Sequence, residues 1–316
     1  MQKPIIGIIL PCYNEEEVLD FTISKLNEVL NKLKSNKTIS INSFIALVDD
    51  GSKDKTWSLI KSYANDLTTI KGLKLSKNVG HQNALLAGLL NFNNDADALI
   101  SIDADLQDDI SIIPEMINEF VQRDIQVVYA VRSKRDTDSL FKKYSALFFY
   151  KLMHWMKVNI VYNHADYRLC SNKIIEALSQ YNEVNLFLRG IIPTIGFSSS
   201  IVYYERKSRV AGVSKYPLGK MLSFALNGIT SFSNYPLKLV TLISFIVLSL
   251  CILATLYAIG SFFLTSIVPG WLSTVLPLYF LGGVQLFCLG IMGEYIAKIY
   301  SEVKSRPKYF IENRID

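Results

Sequence analysis

Two apolar stretches near the C-terminus restrict what this chain can become. Leu239–Leu264 runs for 26 residues without Asp, Glu, Lys or Arg, and Trp271–Met292 runs for 22 more after the uncharged link Thr265–Gly270. Either stretch can cross a hydrocarbon layer of about 30 Å as a helix. Basic residues lie before them (Arg206, Lys207, Arg209, Lys215, Lys220, Lys238) and after them (Lys298, Lys304, Arg306, Lys308), with none between. This distribution predicts a transmembrane hairpin that leaves the N-terminal region and the C-terminal tail together in the cytoplasm, a multi-pass arrangement in the plasma (inner) membrane. Gly282, Gly283, Gly290 and Gly293 permit close helix packing, within the hairpin or between subunits.

The first 135 residues read differently. Ile5–Leu10 and Phe44–Val48 are short apolar runs of the kind that form strands buried on both faces, the first expected to stop at Pro11. Ile70–Leu75 and Ala98–Ile102 read as further strands. Between them lie helical patterns at residues 15–34, Asp54–Tyr63 and Gly80–Leu90. Alternation of this kind predicts an α/β domain, a mostly parallel sheet of Rossmann-like type covered on both faces. Ligands of such sheets bind beyond the carboxyl ends of the strands. The polar clusters here follow Leu10, Val48 and Ile102, at those ends.

Ser139–Val158 mixes aromatic residues with Lys142, Lys143, Lys151 and Lys157, which fits a helix at a membrane interface. Residues 216–235 are expected to form a second surface-lying segment. The organisation expected is thus 1–138 as the nucleotide-binding core and 139–236 as the acceptor-site and interface region. Spans near 239–264 and 271–292 fill 237–300, and 301–316 is a cytoplasmic tail.

The strongest chemical signal is Asp103-Ala104-Asp105-Leu106-Gln107-Asp108-Asp109. Two carboxylates at i and i+2 beyond a buried strand can reach one hard cation, Mg²⁺ or Mn²⁺, with substrate phosphates completing its coordination. Such an ion stabilises a departing diphosphate. Asp49-Asp50-Gly51-Ser52 could bind a ribose or base, or only cap a helix. The chain has neither a GxGxxG after its first strand nor a Walker lysine, which removes support for dehydrogenases and nucleotide triphosphatases. Cys12, Cys170, Cys251 and Cys288 are scattered and read as reduced packing residues. The N-terminus lacks a signal-peptide pattern. The net charge of +5 is modest, and no nucleic-acid partner is expected.

In combination, Pro11–Glu16 (PCYNEE), Asp49–Ser52, Lys77–Leu85 (KNVGHQNAL) and Asp103–Asp109 resemble the family 2 inverting glycosyltransferases of GT-A fold. Ala165–Leu169 (ADYRL), Phe187–Phe197 and Glu205–Pro217 extend the likeness to the polyprenyl-phosphate branch, the GtrB-type bactoprenol glucosyltransferases and dolichol-phosphate mannose synthases. The resemblance covers nearly the whole chain. It implies a nucleoside pocket lined by Pro11, Asn14, Glu15, Asp50 and Asp103, and a metal held by Asp103, Asp105 and Gln107. Arg132, Arg135, Arg189, Arg206, Arg209, Ser214 and Lys215 are implied to clamp donor and acceptor phosphates, a task suited to the guanidinium fork. Asp105 and Asp166 are the implied catalytic residues. Asp166 would orient or deprotonate the acceptor, although a phosphomonoester with a second pKa of about 6 is already anionic at neutral pH.

The resemblance further implies a nucleotide-sugar donor, UDP-glucose by default, with GDP-mannose, UDP-GlcNAc and UDP-galactose as alternatives. The acceptor would be polyprenyl (undecaprenyl) phosphate, and the assembly a homotetramer. A non-catalytic membrane scaffold with a degenerate nucleotide pocket is the rival from another class. A processive polysaccharide synthase is disfavoured by the absence of QxxRW. His81 is given no proton-transfer role.

Overall fold

The computed structural model describes residues 3–133, 164–184, 186–205, 235–264 and 270–316. The interface helix expected at 139–158, most of the segment expected at 216–235, and Arg135, Arg206, Arg209, Ser214 and Lys215 lie outside the described residues. The chain divides into two compact units, Met1–Lys220 with Arg306–Asp316, and Met221–Ser305.

The first unit is built on β1 (Ile6–Cys12), β2 (Phe44–Asp49), β3 (Ile70–Leu75), β4 (Ala98–Ser101), β5 (Val127–Arg132), β6 (His164–Ser171), β7 (Ser199–Tyr204) and β8 (Ile311–Ile315). They form one sheet in the order β7-β5-β6-β4-β1-β2-β3-β8. β1 pairs in parallel with β2 and β4, β2 with β3, and β5 with β7. β6 runs antiparallel between β4 and β5, and β8 runs antiparallel along β3. Every residue of β1, β2 and β4 is buried, as expected for strands covered on both faces.

The helices are α1 (Leu19–Ser35), α2 (Thr56–Asp66), α3 (His81–Asn91), α4 (Ile113–Arg123), α5 (Asn172–Ser179) and α6 (Leu188–Thr194). In α1, Leu19, Ile23, Leu26, Leu30 and Leu33 form the buried stripe that the spacing predicts. The helix begins at Leu19, four residues later than its pattern. Residues Asn14–Glu16 instead make loop bonds to the segment after β2.

β1 does not stop at Pro11. It continues to Cys12, with Pro11 opposite Val48. The Ile9 carbonyl accepts from the Ile102 N–H, so by alternation the Pro11 backbone also faces the β4 side. Pairing between β1 and β4 has already ended at Ile9↔Ser101, so the N–H that proline lacks is not needed there.

α3 lies close to β1 and β2 because Gly88 lets it. A Cβ at Gly88 would stand 2.5 Å from Ile9 Cγ2 and 2.7 Å from Val48 Cγ2. This close seat sets the level at which α3 presents its first residues, His81 and Gln82, at the carboxyl end of the sheet.

The C-terminal residues join the sheet of the first unit through β8. Lys74 pairs with Glu312 at 2.8 Å, and Arg314 bonds Asp95 at 2.7 Å and the Asn91 carbonyl at 2.8 Å. The Arg314 guanidinium also lies 4.8 Å from the Phe92 ring centre.

The second unit holds α7 (Tyr235–Leu264, 30 residues) and α8 (Trp271–Val303, 33 residues), which touch one another. Among the described residues, one helical segment is long and apolar enough to cross a membrane, Phe280–Val303, and Leu237–Leu250 is a shorter apolar stretch. α8 continues past the expected limit at Met292 through Glu294, Lys298 and Glu302, where helical backbone bonding persists into charged sequence.

Gly88→Ala would force a methyl group against two β-branched core side chains that have little rotameric freedom. It is expected to cost about 1–3 kcal/mol, read as a lowered denaturation midpoint of the full chain.

Candidate functional site

The loops after β1, β2 and β4 meet the first residues of β6, α3 and α6 at the carboxyl edge of the sheet. The loops after β1 and β2 are stitched together by side chains. Asn14, in the left-handed region at φ 53°, accepts the Lys53 N–H at 2.9 Å, and its own N–H donates to Ser52 Oγ at 3.0 Å. The Glu15 N–H donates to Thr56 Oγ1 at 2.9 Å. Asp50 is buried, and its two oxygens accept the N–H groups of Val79 (2.7 Å) and Gly80 (3.0 Å), which holds the turn leading into α3. Burial pushes the Asp50 carboxyl above its usual range, and the two backbone donors oppose that rise. Gly51, at φ +66°, lies so close to that turn that a Cβ would meet the Lys77 and Asn78 backbone at 2.5 and 2.6 Å.

The acidic loop after β4 is pinned at several points. Thr22 of α1 donates to the Ala104 carbonyl at 2.6 Å, and Asp105 accepts the Gln107 N–H at 3.2 Å. Asp109 caps the turn at Ser111. Asp108 is buried and bonds both the Tyr204 hydroxyl and Arg132, the latter at 3.2 Å. The Tyr167 hydroxyl donates to the Asp109 carbonyl at 3.2 Å. The strand ends β5, β6 and β7 thus brace the loop from one side and α1 from the other.

Asp166 arrives through β6. Because β6 is antiparallel to β4 with Ser101 opposite Arg168, its early residues stand beside the residues that follow β4. Asp166 is buried and accepts bonds from the buried Arg168, from Arg189 at 3.0 and 3.3 Å, and from Gln82 at 2.9 Å. Burial alone would raise its pKa, but Arg189, His81 and Arg168 outweigh this and hold the carboxyl well below the usual carboxylate range. A carboxylate so stabilised is a weak base and a strong electrostatic anchor.

His81 joins the two acids. Its Nε2 lies 3.5 Å from Asp103 and 3.6 Å from Asp166. Burial lowers the imidazole pKa, yet the nearby carboxylates of Asp166 and Asp103 override that and push it up to about 9. The ring is therefore cationic at neutral pH. Asp103 is half-buried, and its carboxyl is raised, first by loss of solvation within the cleft. His81 opposes this rise, whereas Asp108, Asp166 and Asp105 reinforce it.

No group of three or more His, Cys, Asp or Glu suited to a metal occurs among the described residues. The donor set available at the loop is the carboxylates of Asp103 and Asp105, with the amide of the buried Gln107 beside them in sequence. The crowding of acids that raises Asp103 is relieved by a divalent cation, and two carboxylates suit one that completes its shell with phosphate and water oxygens.

Most of the residues picked out in the sequence lie in the segments that meet at this edge. Pro11 is buried within β1, and Arg132 and Arg189 bond to the carboxylates of Asp108 and Asp166. His81, Gln82, Arg168 and Tyr204 carry contacts that sequence reasoning did not assign. The signal for the first two was their place directly after Gly80, which adopts φ +90° at the start of a helix aimed at the sheet edge.

A family model described as glycosyl transferase family 2 matches residues 7–179. The chain is 50% identical over 310 residues to the glycosyltransferase YkoT of Bacillus subtilis strain 168, covering 98% of this chain and 92% of that one. It is 38% identical over 311 residues to the bactoprenol glucosyl transferase of Shigella phage SfX, covering 98% and 99%. It is 37% identical over 309 residues to the prophage bactoprenol glucosyl transferase homolog of Escherichia coli K12, covering 97% and 98%.

Asp166→Asn leaves the buried Arg168 without its counter-charge and is expected to cost about 3 kcal/mol at neutral pH. Because the folded pKa is depressed, the carboxylate contributes fully above its ordinary value of about 4, and that contribution is lost as pH falls through the folded value. Melting curves at a series of pH values should therefore show the wild-type advantage shrinking only on acidification below about pH 4.

Proposed function

Since this chain belongs to glycosyl transferase family 2, we propose that it transfers glucose, with inversion, from UDP-glucose to polyprenyl phosphate at the cytoplasmic face of a membrane. The observation that carries this reading is the meeting of Asp103 and Asp166 on either side of His81, in a chain whose full-length relatives are named bactoprenol glucosyl transferases.

The stitched loops containing Asn14, Glu15 and Asp50, with Pro11 beneath, form the nucleoside floor. Asp103 and Asp105, with Gln107, would hold Mg²⁺ or Mn²⁺, which when bound supplies positive charge to the donor diphosphate. The cationic His81 adds charge between the two acids. Arg189, with Arg132, Arg135, Arg206, Arg209, Ser214 and Lys215, serves the donor and acceptor phosphates. Arg189 and Arg132 bond carboxylates in this structure, and each guanidinium has five N–H donors to share.

In the reaction an acceptor phosphate oxygen attacks the anomeric carbon as the bond to the diphosphate oxygen breaks on the opposite side. The nucleophile is already anionic, so no proton need be removed. Asp166, a weak base fastened by two arginines, orients Arg189 and His81 rather than taking a proton.

The membrane reading draws support from chain connectivity. β8 belongs to the same sheet as β1–β7, so the chain leaves and re-enters one compact unit. If Phe280–Val303 crosses a bilayer, a second crossing is required. α7, at 30 residues about 45 Å long and uncharged from Val240 to Leu264, supplies it. Large side chains such as Phe245, Tyr257 and Leu286 are exposed on these helices, as expected of lipid-facing positions. Gly282, Gly283, Gly290 and Gly293 fall within an arc of about 100° on α8. Among the described residues a Cβ at any of them would meet nothing within 4 Å, which leaves room for packing between copies, in a homotetramer.

The test is a donor panel (UDP-glucose, UDP-GlcNAc, UDP-galactose, GDP-mannose) with undecaprenyl phosphate and the full-length protein, the lipid product being read by mass spectrometry. Glucosyl lipid is expected, abolished by EDTA and restored by Mg²⁺ or Mn²⁺. Asp103→Asn and Asp105→Asn are each expected to lower turnover about a hundredfold or more. Absence of lipid product with every donor would sink the reading and favour a scaffold.

For topology, a C-terminal tag is expected to be cleaved by added protease in inside-out vesicles and protected in right-side-out ones. The reverse pattern would exclude a cytoplasmic C-terminus.

A further inference from the structure

Gln82, in the first turn of α3, uses both ends of its amide. Nε2 donates to Asp166 at 2.9 Å, and Oε1 accepts the Leu188 N–H at 3.1 Å. Partners of opposite polarity fix which way the amide points. Leu188 is the first residue of α6, and its N–H is among those a helix leaves without an internal partner. Phe187, at the cap position, offers no side-chain bond of its own.

The Leu188 backbone is held from its other side as well. Arg168 donates through Nη1 to the Leu188 carbonyl at 3.3 Å and through its other terminal nitrogen to Asp166. Gln82, Leu188, Arg168 and Asp166 therefore close a ring of hydrogen bonds around the start of α6. Arg189, the next residue, leaves that ring and turns back onto Asp166 with two bonds. The path of its side chain depends on where Leu188 is held.

We infer that Gln82 is a positioning residue for the acceptor half of the site: by fixing the start of α6 it aims Arg189. This rests on the proposed function, and within it takes Arg189, oriented by Asp166, as the residue that serves the acceptor phosphate. The bonds of Gln82 run to Asp166 and Leu188, whereas the nucleoside-side loops are held by Asn14, Thr56 and Asp50, so its influence falls on acceptor use.

Gln82→Met keeps the length of the side chain and removes both bonds. With the full-length protein, UDP-glucose and undecaprenyl phosphate, kcat/KM for the lipid is expected to fall about tenfold, the loss of hydrogen bonds that include one to a charged group. The KM for UDP-glucose should stay within about twofold of wild type, a split that general loss of folding would not produce. Gln82→Asn, one methylene too short to span both partners, replaces it if the Met variant does not fold.

The decisive comparison is with Arg189→Ala. If Gln82 acts through Arg189, the double variant loses no more than Arg189→Ala alone, whereas losses that multiply would overturn the inference. Wild-type acceptor kinetics in Gln82→Met, alongside impaired Arg189→Ala, would also overturn it while leaving the functional reading intact. Unchanged acceptor kinetics in both Arg189→Ala and Asp166→Asn would instead remove the functional reading on which it rests.

Discussion

A buried carboxylate with no access to bulk water must be neutralised by the protein, and at Asp166 that requirement organises the site. Arg168 and Arg189 supply the charge, Gln82 and His81 further polar contact. The partners come from three places: Arg168 from the same strand, Arg189 from α6, Gln82 and His81 from α3. Removing a charge from water is expensive unless the partners are already in place. The position of Asp166 is therefore tied to where three elements begin and how they face one another. The antiparallel insertion of β6 delivers that acid to the carboxyl end of an otherwise mostly parallel, Rossmann-like GT-A sheet.

The second acidic centre is built to the opposite specification. Asp103 has no such surplus of cations. Asp105, Asp108 and Asp166 surround it, with His81 as the opposing charge. The loop that carries it is nonetheless held firmly, through Thr22 beneath Ala104 and through Tyr204 and Arg132 on Asp108. A fixed loop crowded with acids suits a cation, and a carboxylate already satisfied by arginines is preorganised to hold donors in place. Such prior arrangement spares the reorganisation cost at the moment of reaction. His81 lies where the two specifications meet, and its elevated pKa follows from having an acid on each side.

The return of the chain as β8 has a consequence beyond the sheet. An edge strand held by Lys74–Glu312, by Arg314–Asp95 and by the Phe92 face ties the C-terminus to the unit that contains the site. The helices Tyr235–Leu264 and Trp271–Val303 are thereby bracketed, in sequence, by two parts of one compact body.

What the sequence determined by itself was whatever depends on neighbours along the chain. Buried strands showed as unbroken apolar runs, α1 as a periodic stripe, and the acidic loop as acids placed directly after a strand, because each is set by local spacing and burial. The chain's membership of family 2 was legible in the order of its motifs. The tertiary structure decided what depends on residues far apart. Pro11 was no strand terminator, because the pairing on its N–H side had already ended. The last residues became a strand only where the edge of β3 was free to receive them. His81 looked like a lone imidazole, and Gln82 like one more polar residue, until folding brought Asp166 and Leu188 to them from more than 80 and 100 residues away. Charge and hydrogen bonding act through space at a few ångströms, and a one-dimensional reading does not contain those distances.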